Sequence, residues 1–364
     1  MRDTGPRSLV GLSGTAVAPD LLDHAAPAVT SAQAAELAAE IFGVCGDVQW
    51  LSAEKDANFR ITPAKGPPVL LKITNAAEDR GVTEMQTAAL MHLGRVDTTL
   101  PVPHIRPTLT GRAAHILSIP GGQSHMVRLL TYLEGTTLGQ ALSATGLHQD
   151  IGALLARLTI GLRGFDHPAA RHMLQWDIKR AHHLRPMLEA VEDGRLRGRL
   201  TRLIDRFDAE IAPRLCGLRA QVVHNDFNPH NLLVDAPRAT RLTGIIDFGD
   251  MVHTPLVCDL AVACSYQIGD GPRPIEAIGR LLAGYAAILP LERAELDLLP
   301  DLMRMRHAAT LTIGAWRARR YPANAAYLRR NGAASLRGLT VLDRIGTAAV
   351  LDILKRALPP ERMP

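Results

Sequence analysis

The feature that most constrains this chain is a β-rich island, Gln221–Gly249, inside a half otherwise patterned for long helices. It reads His224-Asn225-Asp226-Phe227-Asn228-Pro229-His230-Asn231-Leu232-Leu233-Val234. A turn through Asp235–Arg241 follows, then Thr243-Gly244-Ile245-Ile246-Asp247-Phe248-Gly249-Asp250. Two short apolar runs thus each carry acids or amides at one end. Any one of these residues is an ordinary turn former. Their joint spacing asks for a chemical reason.

Phosphoryl transfer supplies one. It needs a carboxylate to orient or deprotonate an attacking hydroxyl, and oxygen ligands for Mg²⁺ bridging the nucleotide phosphates. His-x-Asp-x-x-x-x-Asn, then a strand and Asp-Phe-Gly, presents those groups in the order kinases use. Asp226 is then the base, with Asn231 and Asp247 as magnesium ligands. Upstream, Val69-Leu70-Leu71-Lys72-Ile73 is an apolar strand holding one of only five lysines among 41 basic residues. A buried ammonium needs an anionic neighbour. Nucleotide phosphates and a carboxylate on the following helix would serve: Glu84 is the expected partner, Glu78 the fallback. The plain structural alternative is an edge-strand lysine reaching for solvent. The turn Ser52–Asn58 lacks a Gly-rich loop, although Ser52 and Asn58 can offer polar groups to phosphate. Neither a Walker sequence nor a dinucleotide fingerprint occurs.

The 364 residues are enough for two domains or two lobes. Residues 1–31 are weakly patterned and read as a loose extension; Ala16-Val17-Ala18 only faintly mimics a secretory cleavage site. Periodic structure opens with a helix near Ala32–Phe42. Val48–Ala53, Asn58–Thr62, Pro68–Thr74, Ala113–Ile119 and His125–Leu133 read as strands, interrupted by a helix over Glu78–Leu93. Long helices are expected at Gln149–Phe165, His172–Val191, Leu196–Ile211, Pro274–Ile288, Leu296–Arg320 and Asn324–Arg356. The layout is α+β, a strand-rich lobe followed by a larger helical one.

The stretch His224–Asp250 resembles the aminoglycoside phosphotransferase-like branch of the protein-kinase-like fold, which includes kinases for choline, homoserine and antibiotics. Arg128–Gly135, Gln175-Trp176-Asp177-Ile178, Asp247–Met251 and Tyr321-Pro322-Ala323-Asn324 narrow the likeness to hydroxylysine kinase and its bacterial relatives, over about Asp47 to Arg356. The resemblance implies a two-lobed fold: a nucleotide-binding lobe of antiparallel sheet plus helix at 32–130, a hinge at 131–135, and a helical lobe at 136–364. It implies that Thr131, Tyr132 and Leu133 receive the purine through backbone groups, and that Lys72 and Glu84 position the phosphates. His224 would brace the loop, and Asp259 would hold it from the next helix. Asn225 stands where many relatives carry Gly, and Asn tolerates left-handed backbone.

Few residues separate Asp247 from the helix beginning near Leu256, and no Ala-Pro-Glu anchor follows, so a small acceptor is expected instead of a peptide. Asp250, His253, Trp176, Asp177 and Trp316 are the candidate pocket residues. The tryptophans read more readily as core aromatics, and Asp177 reads as a helix cap. The net charge of +5 is local, since residues 301–364 alone carry a balance of +8. Arg304, Arg306, Arg317, Arg319 and Arg320 weigh against a polycationic antibiotic and favour an acceptor with a carboxylate as well as an amine; a solvated arginine face is the alternative. The expected partners are ATP or GTP with Mg²⁺ and an amino alcohol or hydroxy amino acid, 5-hydroxylysine first, with no nucleic acid and no membrane. Cys45, Cys216, Cys258 and Cys264 show no Cys-x-x-Cys spacing, which suits a cytoplasmic setting. A metal-dependent hydrolase using His224, Asp226, His230 and His253, or an inactive kinase-like binding protein, are the rival readings.

Overall fold

The computed structural model describes residues 24, 26–53, 55–118, 123–141, 146–235 and 239–358. The expected extension at 1–31, with Ala16-Val17-Ala18, lies mostly outside them. Helix α1 (Ser31–Phe42) starts on a reciprocal cap in which the Thr30 hydroxyl accepts from Gln33 N–H while the Gln33 side chain accepts from Thr30 N–H. Strands β1 (Gly46–Leu51), β2 (Ala57–Pro63) and β3 (Val69–Ile73) follow, then α2 (Arg80–Val96), β4 (Ile105–Arg106), β5 (His115–Ser118) and β6 (Ser124–Thr131). They form one antiparallel sheet in the order β1-β2-β3-β6-β4, with β5 also on β6.

Side chains alternate across this sheet with period two. Val69, Leu71 and Ile73 join Phe59, Ile61, Val127 and Leu129 under Ala34, Ala38 and Phe42 of α1. Leu70 and Lys72 therefore face the other way, beside α2. Arg128 lies opposite Lys72 in the register and is buried. Its guanidinium donates to Gln86, Thr87 and Thr74, and burial pulls its pKa down to about 10.

The helical half contains β7 (Thr136–Thr137), α3 (His148–Gly161), a 3-10 stretch at Ile178–Ala190, α4 (Gly194–Arg206), a π turn at Phe207–Ile211 and α5 (Ala212–Leu215). Strands β8 (Ala220–Val223), β9 (Leu232–Val234), β10 (Leu242–Ile245) and β11 (Val252–Pro255) precede α6 (Leu256–Ser265), α7 (Glu276–Ile288), α8 (Arg293–Arg320), α9 (Ala325–Leu328), α10 (Gly332–Ile345) and α11 (Thr347–Ala357). Strand β9 runs between β10 and β7, and β8 pairs with β11. Every residue of α6 is buried, which makes it the axis of the large core. Among the described residues no helix is long and apolar enough to cross a membrane.

Three of the expected helices come out differently. His172–Val191 is mostly 3-10, because Pro186 removes a backbone donor and Arg180 leaves helical geometry. Leu196–Ile211 loosens into the π turn at Phe207. Asn324–Arg356 breaks into α9, α10 and α11, the last break at Gly346, whose φ of 83° suits glycine.

Helices α3 and α7 approach through reciprocal glycines. A Cβ on Gly152 would lie 1.9 Å from Leu281 O, and one on Gly284 would lie 1.9 Å from Gln149 O. Neither helix can keep its place against an added methyl. Gly152→Ala and Gly284→Ala are each expected to destabilise the fold by about 1–3 kcal/mol or more, read as a lower denaturant midpoint.

Candidate active site

The loop between β8 and β9 is held from below. His224 is fully buried. Its Nδ1 accepts from Asp226 N–H (3.3 Å), so Nε2 carries the proton and donates to Ile246 O (3.1 Å). The ring meets Phe248 edge-on at 4.8 Å. Both nitrogens are engaged, which removes His224 from the metal cluster of the hydrolase reading. Asn225 adopts the left-handed conformation, φ 63°, and its N–H donates to Asp259 Oδ1 at 2.8 Å. Burial pushes the Asp259 carboxyl up to about 6, against the pull of the Asn225 and His224 backbone N–H groups.

Asn231 Nδ2 donates to Asp226 Oδ2 (2.7 Å) and to Asp226 O (3.0 Å). Ile246 N–H donates to Asn231 O at 2.9 Å, extending the β9–β10 pairing and setting Asp247 beside Asn231. Asp247 is itself left-handed, φ 61°, and solvent-facing, and its Oδ1 accepts from Gly249 N–H. Asp250 follows in a 3-10 turn. Burial and the charges of Asp226 and Asp247 push its pKa up to about 7, while Lys55 and Arg306 hold it down. Three carboxylates therefore share one cleft.

This donor set suits a hard cation. The Asn231 amide nitrogen is taken by Asp226, leaving its carbonyl oxygen, and Asp247 adds a carboxylate. Among the described residues no group of three or more His, Cys, Asp or Glu forms a metal cage.

Helix α8 adds a residue that sequence reasoning placed only within a group of arginines. Arg306 is 3% exposed. Its NH2 donates to Asp226 Oδ1 at 2.8 Å, and its guanidinium lies 5.0 Å from the Trp176 ring and 5.9 Å from the Tyr266 ring. Burial lowers its pKa, but Tyr266 and Asp226 more than offset this and the net shift is upward.

On the sheet side the expected pairing does not form. Lys72 Nζ meets Asp56 Oδ2 at 3.0 Å, and Asp56 Oδ1 accepts from Asn75 N–H. Burial raises the Asp56 carboxyl, but Lys72, Asn75 and Lys55 together leave it below the usual carboxylate range. Glu84 sits on the solvent face of α2 and pairs with Arg80; the fallback, Glu78, pairs with Lys55. The α2 side chain that reaches the cleft is neutral: Gln86 Nε2 donates to Gly249 O at 3.3 Å. Asn58 lies opposite Lys72 in the register, whereas Ser52 is exposed. At the expected hinge, Thr131 N–H donates to His104 O and Tyr132 N–H to Pro68 O. Leu133 packs near Gly244.

The candidate pocket residues divide. Asp250 lies with the acids, and Trp176 stacks on Arg306 and Arg317. Asp177 is corrected to a structural role: it is buried, caps the 3-10 stretch through Lys179 N–H and accepts from Thr254 Oγ1 at 2.8 Å. His253 has Arg171, Lys179 and Asp166 as charged neighbours, not the cleft acids. Trp316 packs on the core with Arg320 over its ring. Arg304 and Arg306 are buried, which overturns the solvated-face alternative for those two; Arg304 joins Asp301, Asp343, Thr347 and Leu342 O.

An antiparallel sheet bearing a lysine, packed on a helical half with this acidic loop, defines an alcohol-acceptor phosphotransferase of the kinase-like fold. The sequence profile of the phosphotransferase enzyme family matches residues 50–296, and the chain belongs to that family. It is 30% identical over 352 residues to hydroxylysine kinase of Mus musculus, covering 90% of this chain and 93% of that protein. It is 29% identical over 332 residues to hydroxylysine kinase of Danio rerio, covering 88% and 93%. A microcompartment-associated aminopropanol kinase shares the fold with a TM-score of 0.69 at 20% identity, over 88% of this chain and 98% of that one.

The Asp259 carboxyl is raised to about 6 in the folded chain, against about 3.9 when unfolded. Its contribution to stability is therefore complete below the unfolded value and declines as pH rises through 6, by about 3 kcal/mol in all. Asp259→Asn keeps an acceptor for Asn225 N–H without the buried charge. Thermal melts from pH 4.5 to 7.5 should show the variant gaining on the wild type as pH rises; a flat difference contradicts this.

Proposed function

We propose that the chain transfers the γ-phosphoryl group of ATP or GTP to the hydroxyl of a small hydroxy amino acid, with 5-hydroxylysine the first candidate. The observation that carries the reading is the Asp226 carboxylate, oriented by the Asn231 amide and flanked by Asp247 and Asp250. The substrate assignment draws on the relatives named hydroxylysine kinase.

Asp226 accepts the hydrogen bond of the acceptor hydroxyl and takes its proton as the phosphoryl group moves across. Asn231 and Asp247 would hold Mg²⁺, which when bound neutralises charge on the nucleotide phosphates. Lys72 meets the phosphates from the sheet, with Asp56 in place of a helix glutamate as its protein partner. Asp250 faces the acceptor's ammonium group. With the Thr131 and Tyr132 N–H groups already engaged, the purine edge is read by hinge carbonyls and by Leu133 onward. Arg306 and Lys55 beside the acids make the cleft a poor match for a polycation.

The test is phosphoryl transfer with Mg²⁺ and each nucleotide to 5-hydroxylysine, homoserine, ethanolamine, choline and an aminoglycoside. The highest kcat/KM is expected for 5-hydroxylysine; consumption of nucleotide with none of them removes the reading. Asp226→Ala should cost on the order of 100-fold or more in kcat with nucleotide Kd retained. Asp250→Asn should raise the acceptor KM more than it lowers kcat. Unchanged turnover in the first variant would remove Asp226 as the base.

A further inference from the structure

We infer that Arg306 is the positioning residue of the Asp226 carboxylate, an inference that rests on the reading of Asp226 as the base. The carboxylate has one donor on each oxygen, from two separate elements: Arg306 NH2 of α8 on Oδ1 and Asn231 Nδ2 of the loop on Oδ2. Rotation about the Cβ–Cγ bond would break one or both. Each oxygen keeps lone-pair capacity for an incoming hydroxyl, and the Asp226 side chain is 21% exposed toward the cleft. The geometry holds the base still and leaves it open.

Arg306 is itself enclosed by two aromatic rings. The rings of Trp176 and Tyr266 lie within 6 Å of its guanidinium carbon, and Tyr266 Oη lies 3.5 Å from NH2. Helix α8 is held in turn by Arg304, which ties it to α10 at Asp343 and Leu342 O. One residue beyond Arg306, His307 packs so closely on α10 that a Cβ on Gly338 would lie 2.5 Å from His307 Nε2.

Stability alone does not account for this arginine. A buried ion pair is worth little against an apolar pair of similar volume. Arg306 Nε and NH1 are also buried without a hydrogen-bond partner, an added cost. What the residue supplies is a fixed positive charge beside an acid that Asp247 and Asp250 would otherwise repel.

The test is a cycle of Arg306→Gln, Asp226→Asn and the double variant. It is read by single-turnover transfer to the best wild-type acceptor, with nucleotide KM measured alongside. Arg306→Gln should lower kcat on the order of 100-fold, the cost of a misplaced catalytic group, with nucleotide KM unchanged. Arg306→Lys should recover part of the loss, since it restores charge but not the planar fork. In the Asp226→Asn background, Arg306→Gln should cost nothing further. Unchanged kcat in Arg306→Gln, or losses that add in the double variant, overturn the inference. If Arg306→Gln does not melt cooperatively, Trp176→Leu takes its place in the same cycle, because it removes one ring that holds the guanidinium but leaves its charge. Non-additivity with Asp226→Asn supports the inference and additivity defeats it. A wild-type protein that phosphorylates none of the acceptors defeats the reading of Asp226 as a base, and this inference with it.

Discussion

Mutual repulsion of three carboxylates in one cleft is the constraint on which the rest of the site depends. Asp226, Asp247 and Asp250 lie close enough that Asp250 is pushed up to about 7 by burial and by the other two. Like charges in a partly dry site cannot remain ionised without nearby cations. Lys55 comes from the turn before β2 and Arg306 from the middle of α8, so the two halves of the molecule each contribute one. The sheet must sit where Lys55 reaches Asp250's field, and α8 must pack where Arg306 reaches Asp226. The arrangement of the lobes is thereby coupled to the charge balance of the cleft.

The acidic loop was legible in the sequence because its groups lie within one short segment. Residue spacing there is spatial spacing, and the β9–β10 pairing only has to bring Asn231 next to Asp247. The Lys72 strand was legible for a similar reason, since period-two alternation fixes its face without reference to anything distant. Its partner was not. Helix α2 turns Val82, Met85, Gln86, Ala89 and Leu93 inward, and Glu84 falls on the opposite side. Asp56 gains Lys72 through the β2–β3 register, which sets Ala57 against Ile73, a tertiary fact that composition does not carry. The 3-10 and π segments were missed because single breaks such as Pro186 reshape a helix without erasing its apolar period. Asp177 and Trp316 were proposed for the pocket on type alone; burial and capping assign Asp177 to the frame, and Trp316 lies half-buried against the core.

The C-terminal arginines separate charge in a sequence from charge on a surface. The +8 balance over residues 301–364 suggested either a face for anionic groups or a solvated patch. In the folded chain Arg304 is enclosed between α8 and α10, and Arg306 is enclosed beside Asp226. What survives of the electrostatic case against a polycationic acceptor is narrower and more local. It rests on two cations already offsetting the acids of the cleft.

The division between lysine and arginine follows the same chemistry. Arginine presents a planar, weakly hydrated cation that stacks on aromatic rings and keeps a fixed geometry when buried. Arg306 between Trp176 and Tyr266 uses all of those properties. Lysine presents a compact charge on a flexible stem that can exchange one oxygen partner for another. Lys55 and Lys72 both lie in the sheet-side rim of the cleft, and each holds a carboxylate. The buried cation of the cleft is thus an arginine and the cations at its sheet-side rim are lysines, in a chain where lysine is otherwise rare.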